Sequence, residues 1–229
     1  MIELHDVAKT YSNGGARSFA LKDVSFTADA QQLIAITGKS GSGKSTLLNL
    51  VSGIDTPSGG TIRMNGTNLG TLSNEKLTKW RCLNVGVIFQ SFHLISTLTL
   101  LENVMLPMEF AGGMSFRNKK KRAKELLDSV GLSERADYFP DHVSGGQKQR
   151  AAIARALAND PPFIMADEPT GNLDSENAVQ ILRLFEELIG NGKTVVMVTH
   201  DMEIAQEASQ MIKVKDGRVQ TSLKYGMTQ

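Results

Sequence analysis

The chain has 229 residues, of which 41% are hydrophobic and 21% charged, and its formal net charge is +1. This composition predicts a globular protein with an ample core, and it argues against a basic nucleic-acid-binding tail or an acidic disordered segment. One cysteine, Cys82, excludes an internal disulfide and agrees with a reducing compartment. The first residues lack the apolar core of a signal peptide, and no apolar run is long enough to cross a bilayer. A soluble, cytoplasmic protein is therefore expected.

The first third of the chain is predicted to be rich in β-strands, and a further buried strand follows at 85–89. The pattern that predicts them is an alternating or continuous apolar segment bounded by glycine-containing turns. The predicted elements are strands at 2–7, 21–27, 33–37, 61–65 and 85–89, a helix at 46–51, and turns at 13–15 and 58–60.

The character changes to helical from residue 91 to about residue 158, and strands then return. The predicted elements are helices at 98–110, 116–130, 150–158 and 175–189, strands at 163–166 and 194–199, and a hairpin at 214–219. The βαβ order near the C-terminal end implies a parallel sheet buried on both faces. Basic residues at 117–122 are interpreted as the solvated face of a helix, because nucleic-acid binding needs a broader basic surface.

Residues 38–45 read GKSGSGKS, the G-x-x-x-x-G-K-[ST] pattern that binds nucleotide phosphates. Its glycines allow successive N–H groups to face an anion, and the helix that follows adds the positive end of its dipole. Lys44 can pair with the outer phosphates, and the Ser45 hydroxyl can ligate Mg²⁺. A flexible Gly/Ser linker is the alternative, but the strand before and the helix after the motif favour the phosphate loop.

Polar residues follow three predicted strands, at Gln90, at Asp167 with Glu168, and at His200. Because ligands bind at the carboxyl ends of parallel strands, we expect these residues to converge on the phosphate loop. Asp167 can support the Mg²⁺ shell, and Glu168 can accept a proton from an attacking water. The alternatives are a turn cap for the Asp-Glu pair and an ordinary surface or core position for the histidine.

A second phosphate clamp is predicted 100 residues after Lys44, where Ser144-Gly-Gly-Gln147 precedes an alanine-rich helix. Ser144 is a good N-cap, and a helix N terminus with free N–H groups attracts phosphate. Alone, the pattern predicts a helix start and little more. Two clamps in one chain suggest that two copies face each other, each completing the other's site.

In this order the motifs resemble those of the ATPase subunit of ATP-binding cassette (ABC) transporters over essentially the whole chain. The matching segments are GKSGSGKST at 38–46, Gln90, the signature VSGGQ at 143–147, FIMADE at 163–168, GNLD at 171–174 and His200. Val143 departs conservatively from the commoner leucine. The resemblance implies an α/β fold: a phosphate-loop NTPase core with a parallel sheet, a small antiparallel β portion and an α-helical insertion. It also implies a single ATP-binding domain over 1–229, with its α/β core at 1–90 and 159–229 and a helical subdomain at 91–158.

The resemblance also assigns roles. The implied ATP-binding residues are Tyr11, Gly38, Ser40, Gly41, Ser42, Gly43, Lys44, Ser45, Thr46, Ser144, Gly145, Gly146, Gln147 and Asp174. The implied catalytic residues are Glu168 as general base with His200, Lys44 and Gln90, and the implied Mg²⁺ ligands are Ser45, Gln90 and Asp167. Tyr11 would stack on adenine, since every base has a π-face; a simply packed tyrosine is the alternative. Ser144, Gly146 and Gln147 would reach the γ-phosphate on the opposite subunit, and Asp174 would cross the dimer interface.

The implied partners are a second copy, bound head to tail in the presence of ATP, and a separate transmembrane permease; nucleic acid is not expected. The permease would dock near residues 92–107, for which core packing is the alternative, and would hold the chain at the cytoplasmic face of the membrane. Residues 89–95, 99–104 and 167–174 resemble the macrolide-exporter and lipoprotein-releasing group, whose cargoes include lipoproteins, peptides, antibiotics and haem.

Two other classes compete with this interpretation. A soluble ATPase of the same superfamily acting on DNA or the ribosome would carry a long coiled coil or two cassettes, and this sequence has neither. A phosphotransferase or GTP switch would leave the glycine signature and His200 without a role.

Overall fold

Ten strands and seven α-helices form the regular structure in a computed structural model, which describes residues 1–13 and 16–224. The strands are β1 Ile2–Asn13, β2 Ala16–Ala28, β3 Leu33–Thr37, β4 Gly59–Met64, β5 Thr67–Asn68, β6 Val85–Ile88, β7 Phe163–Asp167, β8 Thr194–Val198, β9 Gln210–Lys215 and β10 Arg218–Lys224. The helices are α1 Lys44–Val51, α2 Asn74–Asn84, α3 Leu100–Ala111, α4 Phe116–Ser129, α5 Gly145–Ala156, α6 Ser175–Gly190 and α7 Met202–Glu207.

A six-stranded sheet in the order β10-β9-β3-β8-β7-β6 forms the centre of the molecule. The five strands from β9 to β6 are parallel, and β10 is antiparallel to β9. Phe163 and Met165 of β7 enter one apolar cluster, while Ile164 and Ala166 enter another, because successive strand side chains point to opposite faces. The prediction of a parallel sheet buried on both faces is confirmed.

Each face of this sheet is covered by a different layer. One cluster joins the sheet to α3, α4, α5 and α6. The other joins it to α1 and to strands β1, β2 and β4. Helices α1 and α5, which begin at the two predicted phosphate clamps, therefore pack on opposite faces of the sheet.

The antiparallel part has the order β2-β1-β4-β5. Strands β1 and β2 are about twice as long as predicted, because register shifts between Leu4 and Lys9 break the alternation that marks a strand in the sequence. Residues 59–60 begin β4, so the turn predicted at 58–60 is wrong. The turn predicted at 13–15 includes Gly14 and Gly15, which lie outside the described residues.

Helix α2 was not predicted. Its sequence, NEKLTKWRCLN, is mostly polar and lacks an apolar stripe with helical spacing, and Leu77 is its one buried residue. Ser73 caps it by accepting a hydrogen bond from the Lys76 N–H. The helices predicted after residue 91 are present, and the alanine-rich helix, α5, begins at Gly145, directly after its predicted N-cap Ser144.

Candidate nucleotide-binding and catalytic site

The phosphate loop joins β3 to α1, at the carboxyl edge of the parallel strands. Gly38 and Gly43 have φ values of 152° and 106°. A Cβ atom would lie 2.2 Å from the Val214 carbonyl oxygen at Gly38 and 2.6 Å from the Ala20 carbonyl oxygen at Gly43. Glycine is therefore required at both positions, where strands β9 and β2 hold the loop from outside.

The loop is built to receive an anion. The Lys44 side chain is held inside it, with Nζ donating to the Lys39 carbonyl at 3.1 Å. Within the described part of the chain, the buried hydroxyls of Thr37 and Ser42 lack hydrogen-bond partners. Buried polar groups are normally paired, so a cationic loop with unpaired hydroxyls fits a phosphate group.

Two carboxylates follow β7 beside this loop. Asp167 Oδ1 accepts a hydrogen bond from Ser45 Oγ at 3.4 Å. Burial raises the pKa of Asp167 and the neighbouring Glu168 charge adds to this, while the Ser45 hydrogen bond and the Lys44 charge oppose it. A hydroxyl and a carboxylate placed side by side are oxygen ligands of the kind that Mg²⁺ prefers, so the residues fit the metal.

Glu168 lies in an unusual backbone conformation, with φ 45°. Its N–H donates to the Val198 carbonyl at 3.0 Å, which fixes it against the end of β8. Its carboxylate Oε2 lies 3.3 Å from Nδ1 of His200, the residue that follows this strand end by two positions. The predicted convergence of the acidic pair and His200 is observed, and the backbone strain at Glu168 is of the kind that clusters at functional sites.

Gln90 is tied to the same edge by the loop after Glu168. Asn172 Nδ2 donates to the Gln90 carbonyl at 2.9 Å. A Cβ atom at Gly171 would lie 3.0 Å from Gln90 Nε2 and 3.6 Å from Glu168 Oε2, so Gly171 lets these two side chains approach each other. The bond made by Asn172 was not predicted, because a side chain that binds a backbone carbonyl has no sequence motif of its own.

The signature segment begins α5 as predicted. Ser144 Oγ accepts from the Gln147 N–H at 3.3 Å, and the Ser144 N–H donates to Gln147 Oε1 at 2.9 Å, which forms a capping box. Gly146 packs so closely on α6 that a Cβ atom would lie 2.2 Å from Asn177 Oδ1. One turn later, the fully buried Gln149 donates to the Pro169 carbonyl at 2.6 Å. The signature helix is thus tied to the segment that carries Glu168.

Asp174 and Tyr11 complete the predicted set. Asp174 caps α6, accepting from the Asn177 N–H at 2.8 Å, so its carboxylate has a structural role within the protomer. Tyr11 is 44% exposed, and its hydroxyl donates to Asp55 Oδ2 at 2.9 Å. Asp55 was not singled out in the sequence, since a lone aspartate in a turn carries no signal.

Comparison with known proteins agrees with this geometry. The family model described as "ABC transporter" matches residues 21–171. An uncharacterized ABC transporter ATP-binding protein of Thermotoga maritima is 46% identical over 227 residues, which cover 99% of this chain and 97% of that protein. The macrolide export ATP-binding/permease protein MacB of Salmonella choleraesuis is 43% identical over 96% of this chain, which corresponds to 34% of the longer MacB.

A solved structure shows the same fold. The ATP-binding cassette MJ0796 of Methanocaldococcus jannaschii, in a dimeric post-hydrolysis state bound to ADP and phosphate, superposes with a TM-score of 0.92 at 43% identity. The match covers 99% of this chain and all of that one. The family match, the relatives and the site geometry agree: the chain belongs to the ABC transporter family as an ATP-binding, ATP-hydrolysing subunit.

Proposed function

We propose that this ABC ATPase works as a head-to-tail homodimer in which each ATP is held between the phosphate loop of one copy and the signature segment, residues 143–147, of the other. The supporting observation is that α1 and α5 pack on opposite faces of the six-stranded sheet. A second copy, turned head to tail, brings the two helix N termini to one nucleotide. The dimer of the similar cassette MJ0796 supports this arrangement.

The phosphate loop binds and orients ATP. Lys44 moves from the Lys39 carbonyl to the β- and γ-phosphates, and the loop N–H groups surround them. Ser45 and Gln90, with Asp167 in support, would hold Mg²⁺, which would offset the phosphate charge. The other nucleotide-binding residues of the loop, Gly38, Ser40, Gly41, Ser42, Gly43 and Thr46, act through backbone and hydroxyl donors.

Glu168 serves as the general base for hydrolysis. A water oxygen attacks the γ-phosphorus, the bond from that phosphorus to the bridging oxygen of ADP breaks, and the water proton passes to the Glu168 carboxylate. His200, 3.3 Å from this carboxylate, contacts the γ-phosphate and orients the water. Gln90, held next to Glu168 by Asn172 and Gly171, places its amide at the same reaction centre.

The signature of the partner closes the site. Ser144, Gly145 and Gly146 present hydroxyl and backbone donors to the γ-phosphate. Gln147 joins them when its side chain leaves the Ser144 N–H. Asp174, at the start of α6, lies across the interface. Hydrolysis leaves ADP and phosphate, two negatively charged products that repel each other. This repulsion separates the phosphate loop from the signature segment of the partner.

A separate membrane permease is the proposed partner that the ATPase drives. No helix within the described part of the chain is both long and apolar enough to cross a bilayer. A groove of about 360 Å³ lies between α2, α3 and α5, and its lining includes Cys82, Phe89, Leu106, Pro107 and Phe110. Its size and apolar lining suit a short helix from the permease. Binding there would hold the chain at the cytoplasmic face of the membrane.

This groove alters the predicted docking stretch, 92–107. Leu100 and Val104, within it, are fully buried in the core, so core packing accounts for those side chains. Leu106 and Pro107 do line the groove, and Phe110 extends it beyond the predicted stretch. The proposed docking surface is therefore the groove between α2, α3 and α5, to which α3 contributes its C-terminal end.

The proposed subfamily is the macrolide-exporter and lipoprotein-releasing group, which the likeness to MacB supports. The cargo in this group is a lipoprotein, peptide, antibiotic or haem. The permease selects it, because the ATPase does not touch cargo.

Glu168→Gln tests the dimer and the base together. Hydrolysis should fall at least about 100-fold, because general-base catalysis typically contributes 10²–10⁴-fold. ATP binding should persist, and size-exclusion chromatography should show a monomer without ATP and a dimer with it. Adding Ser144→Arg should keep the ATP-bound protein monomeric, and an ATP-loaded Glu168→Gln protein that stays monomeric would contradict the proposal.

Affinity capture from solubilised native membranes tests the partner. Recovery of a multi-span membrane protein supports the permease. Recovery of ribosomal or DNA-bound proteins alone would favour the soluble ATPase instead.

A further inference from the structure

Asp55 lies at the centre of a small hydrogen-bond network in the turn that follows α1. Its Oδ2 accepts from the Tyr11 hydroxyl at 2.9 Å. Its Oδ1 accepts from Lys9 Nζ at 2.6 Å and from the Thr56 N–H at 2.7 Å. The two carboxylate oxygens thus have separate tasks: one faces Tyr11, and the other is anchored to β1 and to the turn.

Lys9 holds the carboxylate in place. The residue is 9% exposed, and Nζ also donates to the Thr56 carbonyl at 2.8 Å. The same ammonium lies 4.9 Å from the centre of the Tyr11 ring. A nearly buried cation bound to Asp55, to the turn and to the ring face leaves the carboxylate little freedom to rotate.

The protonation states agree with the direction of these bonds. Burial favours the neutral form of Asp55, but hydrogen bonds from Lys9, Tyr11 and Thr56 outweigh it and lower the pKa of Asp55. Burial, followed by the bond to Asp55, raises the pKa of Tyr11, while Thr46 opposes this. Tyr11 therefore remains a donor and Asp55 an ionised acceptor at neutral pH.

The hydrogen bond from Tyr11 to Asp55 fixes the hydroxyl end of a side chain whose ring is open to solvent. Asp55 lies in the segment that follows the phosphate-loop helix α1. The hydroxyl end of the ring is thus fixed to that segment. A free tyrosine would lose rotamer freedom when a base stacks on it, and a ring that is already oriented avoids much of that cost.

We propose that Asp55, held by Lys9, is a positioning residue that orients the Tyr11 ring for the adenine base. The inference rests on the proposed role of Tyr11 as the adenine-stacking residue. The stacking role of Tyr11 does not by itself require Asp55. The inference adds that tight binding of the base requires the Asp55 carboxylate, which holds the Tyr11 hydroxyl.

The test compares a nucleotide with a ligand that has phosphates and no base. Isothermal titration calorimetry with ADP and with tripolyphosphate, each with Mg²⁺, measures both affinities; ADP is used so that ATP-driven dimerisation does not contribute. Asp55→Ala should weaken ADP binding up to about tenfold, because base stacking on an aromatic residue is worth about 1–3 kcal/mol and only part of it is lost. Tripolyphosphate affinity should change less than about twofold.

Four further variants separate positioning from folding. Lys9→Met with Asp55→Ala removes the buried charge that Asp55→Ala leaves unpaired, and it should show the same selective loss of ADP affinity. Tyr11→Phe removes the hydroxyl alone, and adding Asp55→Ala to it should cause no further loss. Asp160→Ala breaks a comparable ion pair, 2.6 Å from Lys193 Nζ, and should leave the ratio of the two affinities unchanged.

The outcomes distinguish this inference from the role on which it rests. If Tyr11→Ala loses ADP affinity but the Asp55 variants keep it, Tyr11 stacks on the base and the positioning role of Asp55 is wrong. If Tyr11→Ala and the Asp55 variants all keep it, the stacking role fails as well. An equal loss for ADP and tripolyphosphate would assign Asp55 a structural role in the phosphate loop and would also overturn the inference.

Discussion

Single residues of this site are placed where function and stability conflict, and Asp167 is the clearest case. Burial raises its pKa, so its ionised form is disfavoured in the folded protein. An acid whose pKa is higher in the folded state than in the unfolded state stabilises the fold while it is protonated. This contribution is complete below the pKa of the unfolded state, and it is lost as the pH rises through the pKa of the folded state. At neutral pH, where Asp167 must be charged to support Mg²⁺, it therefore works against folding.

We expect Asp167→Asn to raise the thermal midpoint of the nucleotide-free protein in EDTA at pH 7, because a partly buried charge is removed. The gain should shrink as the pH is lowered through the pKa of Asp167, where the native side chain becomes neutral. The same variant should lose Mg²⁺-dependent ATPase activity. Calorimetric melting curves at several pH values measure this, with Asp137→Asn on the exposed surface as the control. An unchanged or lower thermal midpoint at pH 7 would show that the ionised Asp167 side chain does not destabilise the folded protein.

Helix N termini hold the nucleotide phosphates in the proposed mechanism, and the N termini of α5 and α4 allow a matched comparison. Ser144 caps α5 and Ser115 caps α4 with nearly the same geometry, accepting from the third residue on at 3.3 Å and 3.4 Å. Ser144→Ala and Ser115→Ala should each lower the free energy of unfolding by about 1 kcal/mol, because each leaves an N–H without its cap. Only Ser144→Ala should also impair ATP hydrolysis and the ATP-dependent dimer.

Denaturant melts and steady-state ATPase assays separate the two effects. Equal losses of activity in both variants would mean that Ser144 acts through helix stability alone. The signature would then have no demonstrated contact with nucleotide.

Elements with a strong local signal were predicted from the sequence, and those without one were not. The parallel strands were predicted because β7 and β8 are short apolar runs, and the position of Glu168 and His200 followed from the rule that such strands end at one edge. Helix α2 was missed because its charged sequence buries little. Contacts such as Gln149 with Pro169 and Tyr11 with Asp55 join distant segments, and no local pattern reports a long-range hydrogen bond.

At the scale of the whole molecule, the apolar groove between α2, α3 and α5 is the proposed contact with the permease. Phe110 lines it and is 76% exposed, whereas Phe116, 67% exposed, lies outside that lining. Phe110→Ser should prevent recovery of the permease in affinity capture, because an apolar anchor at the rim of the groove is lost, while Phe116→Ser should not. Both variants should hydrolyse ATP normally as isolated proteins. Equal recovery with both would remove Phe110 from the docking surface.

The central claim is that one nucleotide is shared by two copies of the chain, and a crystal structure of the Glu168→Gln protein grown with ATP and Mg²⁺ tests it most directly. If the nucleotide is shared, a γ-phosphate will contact Lys44 of one protomer and lie within hydrogen-bonding distance of Ser144 of the partner subunit. A structure in which Ser144 lies far from every γ-phosphate, in its own chain and across any interface, would contradict it.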